Sequence, residues 1–377
     1  MKHLFCLVAL TVLLTSCTDP LVPAIRNDTE LFLIEGDIVD RAGRSSVSVQ
    51  RWVPDDNTYR IFPQRDLGVT SIAGDGEEIT WAEREDAGVY LPPDGFVGRV
   101  GVAYRIRVVT PGGGVFESRP ETIPPPATFS GLTAEFEQES YFSAGLNRFV
   151  PAFRFYLNIE DPAGEANYYR ANYRRWETIR KCASCSRARY RNGECIPDGR
   201  NLGVWDYLCD TVCYQMYEGD DGNIFDDAFA DGGTIPRFEV ARVDYARQTG
   251  GFLFEASLQS LTKGRYDYLD LIRTLSEEGG GLNATIPAPL VGNLETISSE
   301  REGEPTILLG YFGAASEYTD RIFFRNEDVD GQPLPSNEDI REEPGVPNCD
   351  QFPLGCPPLA PCDGPNRTNI QPEGWGG

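Results

Sequence analysis

Thiol groups are the side chains whose spacing says most about the chemistry of this 377-residue chain. Of the ten cysteines, two lie near the N-terminus, at Cys6 and Cys17. Five others fall within residues 177–217 and three within a proline-rich tail over residues 344–377: Cys182, Cys185, Cys195, Cys209, Cys213, Cys349, Cys356 and Cys362. Because both groups have odd numbers, complete pairing predicts at least one disulfide between this cysteine-rich insertion and the tail. Such a bridge would close a long loop and hold the tail in place.

The N-terminus accounts for the other two cysteines. Met1, Lys2 and His3 precede an apolar run, Leu4 to Leu14, which is too short to span a bilayer as a helix. This pattern predicts an export signal peptide over residues 1–16. Cys17 directly follows Leu14-Thr15-Ser16, as in bacterial lipoprotein signals, so we expect acyl chains on its sulfur and on its new N-terminus. Residues 17–23 would then be a lipidated tether.

The alternative for the insertion is a structural zinc site. Cys182-Ala-Ser-Cys185 and Cys209-Asp-Thr-Val-Cys213 supply four thiols in two close pairs. A short helix that would place the second pair on one face is predicted from four apolar side chains at helical spacing: Trp205, Leu208, Val212 and Met216. Disulfides are favoured, because export exposes thiols to oxidising conditions. No thioredoxin pattern surrounds the first pair to suggest a redox role.

Composition excludes several kinds of chemistry. His3 is the only histidine and leaves with the signal peptide, so no catalytic triad, histidine metal ligand or histidine pH switch is available. The formal net charge of −24 repels phosphate backbones, so nucleic acid is not expected as a partner. The chemistry that remains is that of carboxylates, arginine, tyrosine and thiols.

Two acidic loops resemble calcium sites. The first is Asp220-Asp221-Gly222-Asn223 with Asp226 and Asp227. In the second, Asn326, Asp328, Asp330 and Gly331 fill positions one, three, five and six of a calcium loop, but Asn337 stands where a bidentate glutamate belongs. Solvated turns explain the same residue types, so structural calcium stays an open alternative and no cofactor is required.

Two segments of the mature chain are predicted to fold as domains. The first, residues 24–122, is predicted to be a β-sandwich of immunoglobulin-like or carboxypeptidase-regulatory-like type. Alternation of apolar and polar residues and glycine-rich turns define seven short strands: Leu31 to Ile38, Val47 to Trp52, Val69 to Ile72, Glu78 to Trp81, Gly88 to Leu91, Ala103 to Val109 and Gly114 to Ser118. A stiff connector follows, at Pro120 and Pro124-Pro125-Pro126.

The second segment, residues 123–343, is predicted to be another β-rich domain with one or two helices and the cysteine-rich insertion. Phe153, Phe155, Leu157 and Ile159 alternate with polar residues in a strand that ends at Asp161-Pro162-Ala163-Gly164. A helix is predicted to begin after a Thr262 cap and to end at Gly279-Gly280-Gly281, with an apolar stripe of Tyr266, Leu269, Ile272 and Leu275.

Several motifs together resemble a known family. They are Asp161-Pro-Ala-Gly-Glu-Ala-Asn-Tyr-Tyr-Arg170, Asp226-Asp-Ala-Phe-Ala-Asp-Gly232, Tyr266-Asp-Tyr-Leu269, and Asn293 followed by Leu309-Gly-Tyr-Phe312. Their order and spacing resemble domain-of-unknown-function family 4249 over nearly the whole mature chain. That family consists of Bacteroidota lipoproteins often encoded beside TonB-dependent outer-membrane transporters, and it carries no established catalytic residues.

The resemblance implies a lipid-anchored outer-membrane protein, exposed at the cell surface. We expect a non-enzymatic accessory or substrate-binding partner of a TonB-dependent transporter, in which aromatic side chains contact the ligand or partner: Tyr168, Tyr169, Tyr173 and Trp176. One alternative is a cell-surface hydrolase that uses a carboxylate pair. The other is a structural or adhesive surface protein without a ligand site.

Overall fold

The computed structural model describes residues 30–55, 58–84, 88–181, 188–191, 194–197, 211–245, 251–278, 292–299, 307–334, 362, 364 and 366–376. Strands form most of this part of the chain, and an α-helix, α1 (Lys263–Glu278), interrupts them. The mostly β fold expected from the sequence is confirmed. None of the helical segments within these ranges has the length and apolar character needed to cross a membrane.

The first half of the chain contains all seven predicted strands. Two further strands, β3 and β9, were not predicted, because β9 has only two residues and β3 lacks a regular apolar alternation. The strands are β1 (Leu31–Val39), β2 (Ser46–Asp55), β3 (Thr58–Pro63), β4 (Gly68–Ala73), β5 (Glu78–Glu83), β6 (Val89–Leu91), β7 (Ala103–Val109), β8 (Val115–Ser118) and β9 (Glu121–Thr122).

The second half has longer strands, several of which exceed ten residues. They are β10 (Thr128–Ser143), β11 (Arg148–Glu160), β12 (Tyr168–Lys181), β13 (Ala188–Arg191), β14 (Glu194–Pro197), β15 (Thr211–Asp226), β16 (Thr234–Asp244), β17 (Phe252–Leu261), β18 (Leu294–Ser298), β19 (Ile307–Phe324) and β20 (Arg367–Thr368). The predicted helix over Val212 and Met216 is wrong, because both residues lie in β15. Over so short a run, helical and strand spacing of apolar residues are not distinguishable.

Within the described residues, fifteen strands form one sheet in the order β18-β8-β7-β4-β5-β6-β2-β1-β19-β17-β12-β15-β20, with β3 paired to β2 and β9 paired to β7. Strand β19 joins the two halves of this sheet. Its residues Ile307 to Ala315 pair parallel with β1, and Ala315 to Phe324 pair antiparallel with β17. Strand β18 also returns to the first half and pairs with β8. Strands from the C-terminal half therefore complete the sheet of residues 24–122.

Gly310 allows β19 to approach β1 closely. Its φ of +109° lies in a region that residues with a Cβ atom rarely adopt. A Cβ atom at this position would also lie 2.0 Å from the carbonyl oxygen of Ile34. The parallel pairing that holds the two halves together therefore requires glycine here.

Two apolar cores lie on either side of this junction. The first is built from inward-facing residues of β1, β2 and β7, and β19 contributes Phe312 and Ala314 to it. Strand β7 shows the expected alternation, since Tyr104, Ile106 and Val108 are buried while the arginines between them are half-buried. The first core therefore depends on β19, which lies about 200 residues after β7 in sequence.

The second core lies between a three-stranded sheet, β10-β11-β16, and the strands β12, β17 and β19. The ring of Phe153 lies 5.2 Å from that of Phe324. Further along, Phe129 of the same hairpin lies 5.1 Å from Tyr318. The β10–β11 hairpin thus runs along β19, and its turn projects beyond the Phe324 end of that strand.

Helix α1 covers the outer face of β1 and β19. Its N-terminus is capped as predicted, because the Thr262 hydroxyl accepts a hydrogen bond from the Arg265 backbone N–H at 3.2 Å. The expected apolar stripe is only half-buried, however, and among the described side chains of the helix the buried ones are Arg265 and Tyr268. Both reach carboxylates of β1, at 2.6 Å to Asp37 and 2.8 Å to Glu35. Polar contacts therefore hold this helix against the sheet.

Candidate functional site

Three carboxylates meet at the end of the second core. One oxygen each of Asp161, Asp227 and Asp231 lies within 4.8 Å of the other two, and Asp161 and Asp227 are buried. Asp161 directly follows β11, and the other two lie in the turn after β15. We refer to these three residues as the aspartate triad. It is the site among the described residues where carboxylate chemistry is most concentrated.

Each triad carboxylate accepts a hydrogen bond from a backbone N–H of the opposite loop. Asp161 accepts from the backbone N–H of Gly232 at 2.9 Å and from the hydroxyl of Tyr169. Asp227 accepts from the backbone N–H of Asn167 at 2.9 Å, and Asp231 from that of Gly164 at 2.7 Å. The triad therefore joins the 161–167 loop to the 227–233 turn, although the bonded residues are sixty or more positions apart in sequence.

The electrostatics of the triad keep the Tyr169 hydroxyl protonated as a hydrogen-bond donor. Burial raises the pKa of Tyr169, and the hydrogen bond to Asp161 raises it further, so the hydroxyl stays protonated. Three convergent carboxylate oxygens have the chemistry that Ca²⁺ prefers. Here backbone N–H groups and the tyrosine hydroxyl already donate hydrogen bonds to these carboxylates. A structural role in connecting the two loops therefore explains why the three carboxylates lie together.

The two acidic loops identified from the sequence have different environments in the structure. Asp227 of the first loop lies in the triad, whereas the side chains of Asp220 and Asp221 lie outside the described part of the structure. In the second loop, residues Asn326–Asp328 form a 3-10 turn, and Asp328 and Asp330 are exposed. The second loop therefore has the form of a solvated turn in its described residues.

Removal of the Tyr169 hydroxyl is expected to destabilise the triad. Tyr169→Phe leaves the buried Asp161 carboxylate without one of its donors, at a cost of about 1.5–3 kcal/mol in the free energy of unfolding. Urea denaturation followed by circular dichroism would measure it. Tyr168→Phe is the matched control, since Tyr168 is half-buried on the same strand. Equal midpoints for the two variants would contradict a structural role of the hydroxyl.

A second group of buried charges lies between the two cores. Glu255 of β17 and Glu317 of β19 both form ion pairs with Arg44, which lies in the turn between β1 and β2. Arg321 adds a hydrogen bond to Glu255 at 2.7 Å, and Ser257 donates to Glu317. Since both glutamates are buried and paired, this cluster ties the first turn of the chain to the second half of the sheet.

The cysteines provide one bridge in the described residues. Cys213 of β15 is bonded to Cys362 of the tail, with their Cα atoms 5.7 Å apart, which is a usual separation for a disulfide. This bridge joins the insertion to the tail, as the odd numbers of cysteines predict. It also takes Cys213 out of the four-thiol zinc site considered above. The side chains of the other candidates lie outside the described residues: Cys182, Cys185, Cys195, Cys209, Cys349 and Cys356.

The aromatic residues considered as ligand contacts are largely internal. Tyr169 and Trp176 are buried, and Tyr173 stacks on Phe254 within the second core. Tyr168 is half-buried and lies 5.0 Å from Tyr266 of α1. Exposed aromatic side chains lie elsewhere, as at Phe229 in the turn after β15. At the turn of the β10–β11 hairpin, Phe142, Leu146 and Phe149 are about half exposed. We call these three residues the distal tip.

Comparison with models of known protein families shows to which family the chain belongs. A family model described as Domain of unknown function (DUF4249) matches residues 18–321, which is most of the chain. The chain belongs to the DUF4249 family. No curated protein matches it.

The motifs that resemble DUF4249 proteins have structural partners in this fold. The motif beginning at Asp161 and the one ending at Gly232 meet in the aspartate triad. Asn293 is buried and makes two hydrogen bonds to the backbone of Phe312, at 2.8 and 3.0 Å. These contacts join segments that are distant in sequence. Spacing alone identified the residues, but only the fold shows that they act in pairs.

Proposed function

We propose that this DUF4249 protein is an outer-membrane lipoprotein, anchored through Cys17, that serves as a non-enzymatic accessory or substrate-binding partner of a TonB-dependent transporter. The observation that carries the proposal is the N-terminal signal, in which Leu14-Thr15-Ser16 precedes Cys17. Two or more acyl chains at one cysteine supply stable membrane attachment. A carboxylate hydrolase and an adhesive surface protein are the competing candidates.

The buried carboxylates support a binding role over hydrolysis. A glycosidase needs two carboxyl groups facing a substrate across the bond to be cleaved. In this fold Glu255 and Glu317 both contact Arg44, and the triad carboxylates accept hydrogen bonds from backbone N–H groups and Tyr169. These acidic groups have internal partners that account for their positions.

The location of the distal tip supports a protein partner. Strand β19 has 18 residues, so its two ends lie roughly 55–60 Å apart. The first described residues of the chain lie at the Ile307 end, because Leu31 pairs with Ile307. The distal tip projects beyond the Phe324 end. An apolar surface at this distance from the anchor is suited to contact with another membrane component rather than with lipid.

Replacement of the acylated cysteine tests the anchor. Cys17→Ser removes the sulfur that would carry diacylglycerol, so we expect the protein to leave the membrane fraction for the periplasm or to accumulate as uncleaved precursor. Cell fractionation with immunoblotting, and mass spectrometry of the N-terminal peptide, would measure both. Cys6→Ser, inside the signal peptide, is the matched control. Unchanged membrane retention of Cys17→Ser would contradict the anchor.

Co-purification tests the partner. We expect a C-terminally tagged copy from detergent-solubilised outer membranes to retain a TonB-dependent barrel in near-stoichiometric amount. Phe142→Ser with Phe149→Ser should release the barrel, because the pair removes most of the apolar surface of the distal tip. The exposed pair Val97→Ser and Val100→Ser is the control. A solitary wild-type protein would favour the hydrolase or the adhesive protein instead.

A further inference from the structure

A row of four apolar side chains crosses the sheet at the end where the chain leaves its N-terminal segment. Leu31 of β1 pairs with Ile307 of β19 on one side and with Trp52 of β2 on the other. Trp52 in turn pairs with Ile61 of β3. Residues paired in this way point to the same face of a sheet, so the four side chains form a continuous surface. We call these residues the anchor-end row.

The anchor-end row lies on the face opposite the first core. Phe32 and Ile34 of β1 point into that core, so Leu31 points to the other side. Farther along the same face, Glu35 is covered by Tyr268 of α1. At the row itself, Ile61 and Ile307 remain 52% and 42% exposed, and Leu31 and Trp52 are half-buried. The helix thus covers one part of this face and leaves the apolar end open.

The charged residues nearest the row lie on the opposite face of the sheet, where they pair with one another. Arg51 pairs with Glu30, with 2.9 Å between its Nε and the carboxylate, and Arg60 pairs with Asp55 at 2.6 Å. The chain as a whole carries a formal charge of −24, which opposes contact with an anionic surface. On the face of the row itself, the next paired residues are Leu33, Gln50 and Pro63, which carry no charge and so add nothing to that repulsion.

The length of the preceding segment limits how far this end can lie from an anchor. Thirteen peptide units separate Cys17 from Glu30, so the row lies at most about 45 Å from the membrane when Cys17 is acylated. The opposite end of β19 lies roughly 55–60 Å farther along the strand. The tether therefore keeps the anchor-end row nearer to the lipid than the distal tip.

We propose that the anchor-end row is a lipid-contacting surface that rests on the outer membrane and inserts Trp52 and Ile61 at the headgroup boundary. Tryptophan suits this position, because its large ring combines apolar surface with a polar edge, here an indole N–H that donates to the Gln50 side chain at 3.1 Å. The proposal rests on the proposed function for the natural anchor. Its consequence is a fixed orientation in which the distal tip is held away from the lipid, available to a partner.

Quenching of tryptophan fluorescence by brominated lipids tests the contact. The mature chain with Cys17→Ser and an N-terminal hexahistidine tag would be held on phosphatidylcholine vesicles containing nickel-chelating lipid, with and without bromines on the acyl chains. We expect brominated vesicles to lower the emission of the parent protein. Every protein compared carries Trp205→Phe and Trp375→Phe, and Trp81 and Trp176 are buried within the fold, so we expect Trp52→Phe, which preserves an apolar ring, to lose this quenching.

Two further variants define the surface. Ile61→Ser with Ile307→Ser should reduce the quenching at least twofold, because it removes the two most exposed members of the row. Phe142→Ser with Phe149→Ser, at the opposite end, should leave it unchanged. Equal quenching in the parent and Trp52→Phe would overturn the proposal. A parent that is not quenched but forms a dimer, dissociated by the isoleucine variant, would overturn it in favour of a second copy on this face.

The tag makes this test independent of acylation. If Cys17 carries no lipid in the cell, the proposed function fails while the quenching result stands. If Cys17 is acylated but Trp52 is not quenched, only the lipid contact of the anchor-end row fails. The two failures are therefore distinguishable.

Discussion

Glu255→Gln is expected to lower the free energy of unfolding by about 3–5 kcal/mol, because it leaves buried arginine charge without its partner. The Glu255 side chain is 1% exposed and contacts two guanidinium groups, those of Arg44 and Arg321. Glutamine has nearly the same shape but no negative charge. Arg44, whose side chain is 10% exposed, would then face only Glu317. The turn between β1 and β2 would lose its strongest contact with β17.

The effect should depend on pH in a defined direction. Burial raises the pKa of Glu255, but the charges and hydrogen bonds of Arg44 and Arg321 outweigh burial and hold the pKa below its ordinary value. A lowered pKa stabilises the folded state above the ordinary glutamate pKa, about 4.3, and this stabilisation is lost as pH falls through the folded-state pKa. The difference between the parent and Glu255→Gln should therefore be largest near neutral pH and shrink on acidification.

Urea denaturation at several pH values would measure this difference, on chains that carry Cys17→Ser so that no lipid is attached. Glu78→Gln is the matched control, since Glu78 is exposed at the start of β5 and its change should stay within about 0.5 kcal/mol. A loss at Glu255 no larger than that of the control would mean that the arginines are stabilised without the carboxylate.

The local features of this fold could be predicted from the sequence. Alternation located the seven strands of the first half, because each has one buried and one solvated face. The Thr262 cap was predicted because a hydroxyl before a helical run satisfies a free backbone N–H. The link between the insertion and the tail followed from counting cysteines, although their number could not select Cys213 and Cys362 as the pair.

The long-range pairings could not be predicted. Nothing in the pattern of β1 shows that it lies beside β19, because each apolar strand could pair with many others. The aspartate triad joins loops that look like ordinary turns when each is considered alone, and Tyr169 looks like one more strand aromatic. The burial of Arg265 in place of the apolar stripe of α1 has the same origin, since its partner Asp37 is 228 residues away.

The described residues of the tail, 362, 364 and 366–376, contact the rest of the fold through a short strand pairing, a tryptophan ring and hydrogen bonds. Strand β20 has only two residues, which pair with Tyr214 and Gln215 of β15. Trp375 adds ring contacts at 5.0 Å to Tyr214 and to Phe323. Arg321 donates to the backbone carbonyl of Glu373 at 2.6 Å. Without the Cys213–Cys362 bridge, these contacts would have to offset the conformational entropy that the described part of the tail loses on folding.

We therefore expect Cys213→Ser with Cys362→Ser to destabilise the chain by about 3–5 kcal/mol, since the bridge closes a loop between residues 149 apart in sequence and restricts the unfolded state accordingly. Replacing both cysteines avoids a free thiol that could pair wrongly. Urea denaturation would give the loss, and hydrogen exchange at Arg367–Thr368 and at Tyr214 would show whether the tail separates first.

Trp375→Ala with the bridge intact is the comparison that separates the two sources of stability. It removes the main ring contact of the tail, but the bridge still limits the unfolded chain, so exchange should rise in the tail with a smaller change in the urea midpoint. If the double serine variant kept the parent midpoint while Trp375→Ala lowered it, the tail would be held by its ring contacts. The opposite order of effects would establish the bridge as the element that completes the edge of the sheet at β15.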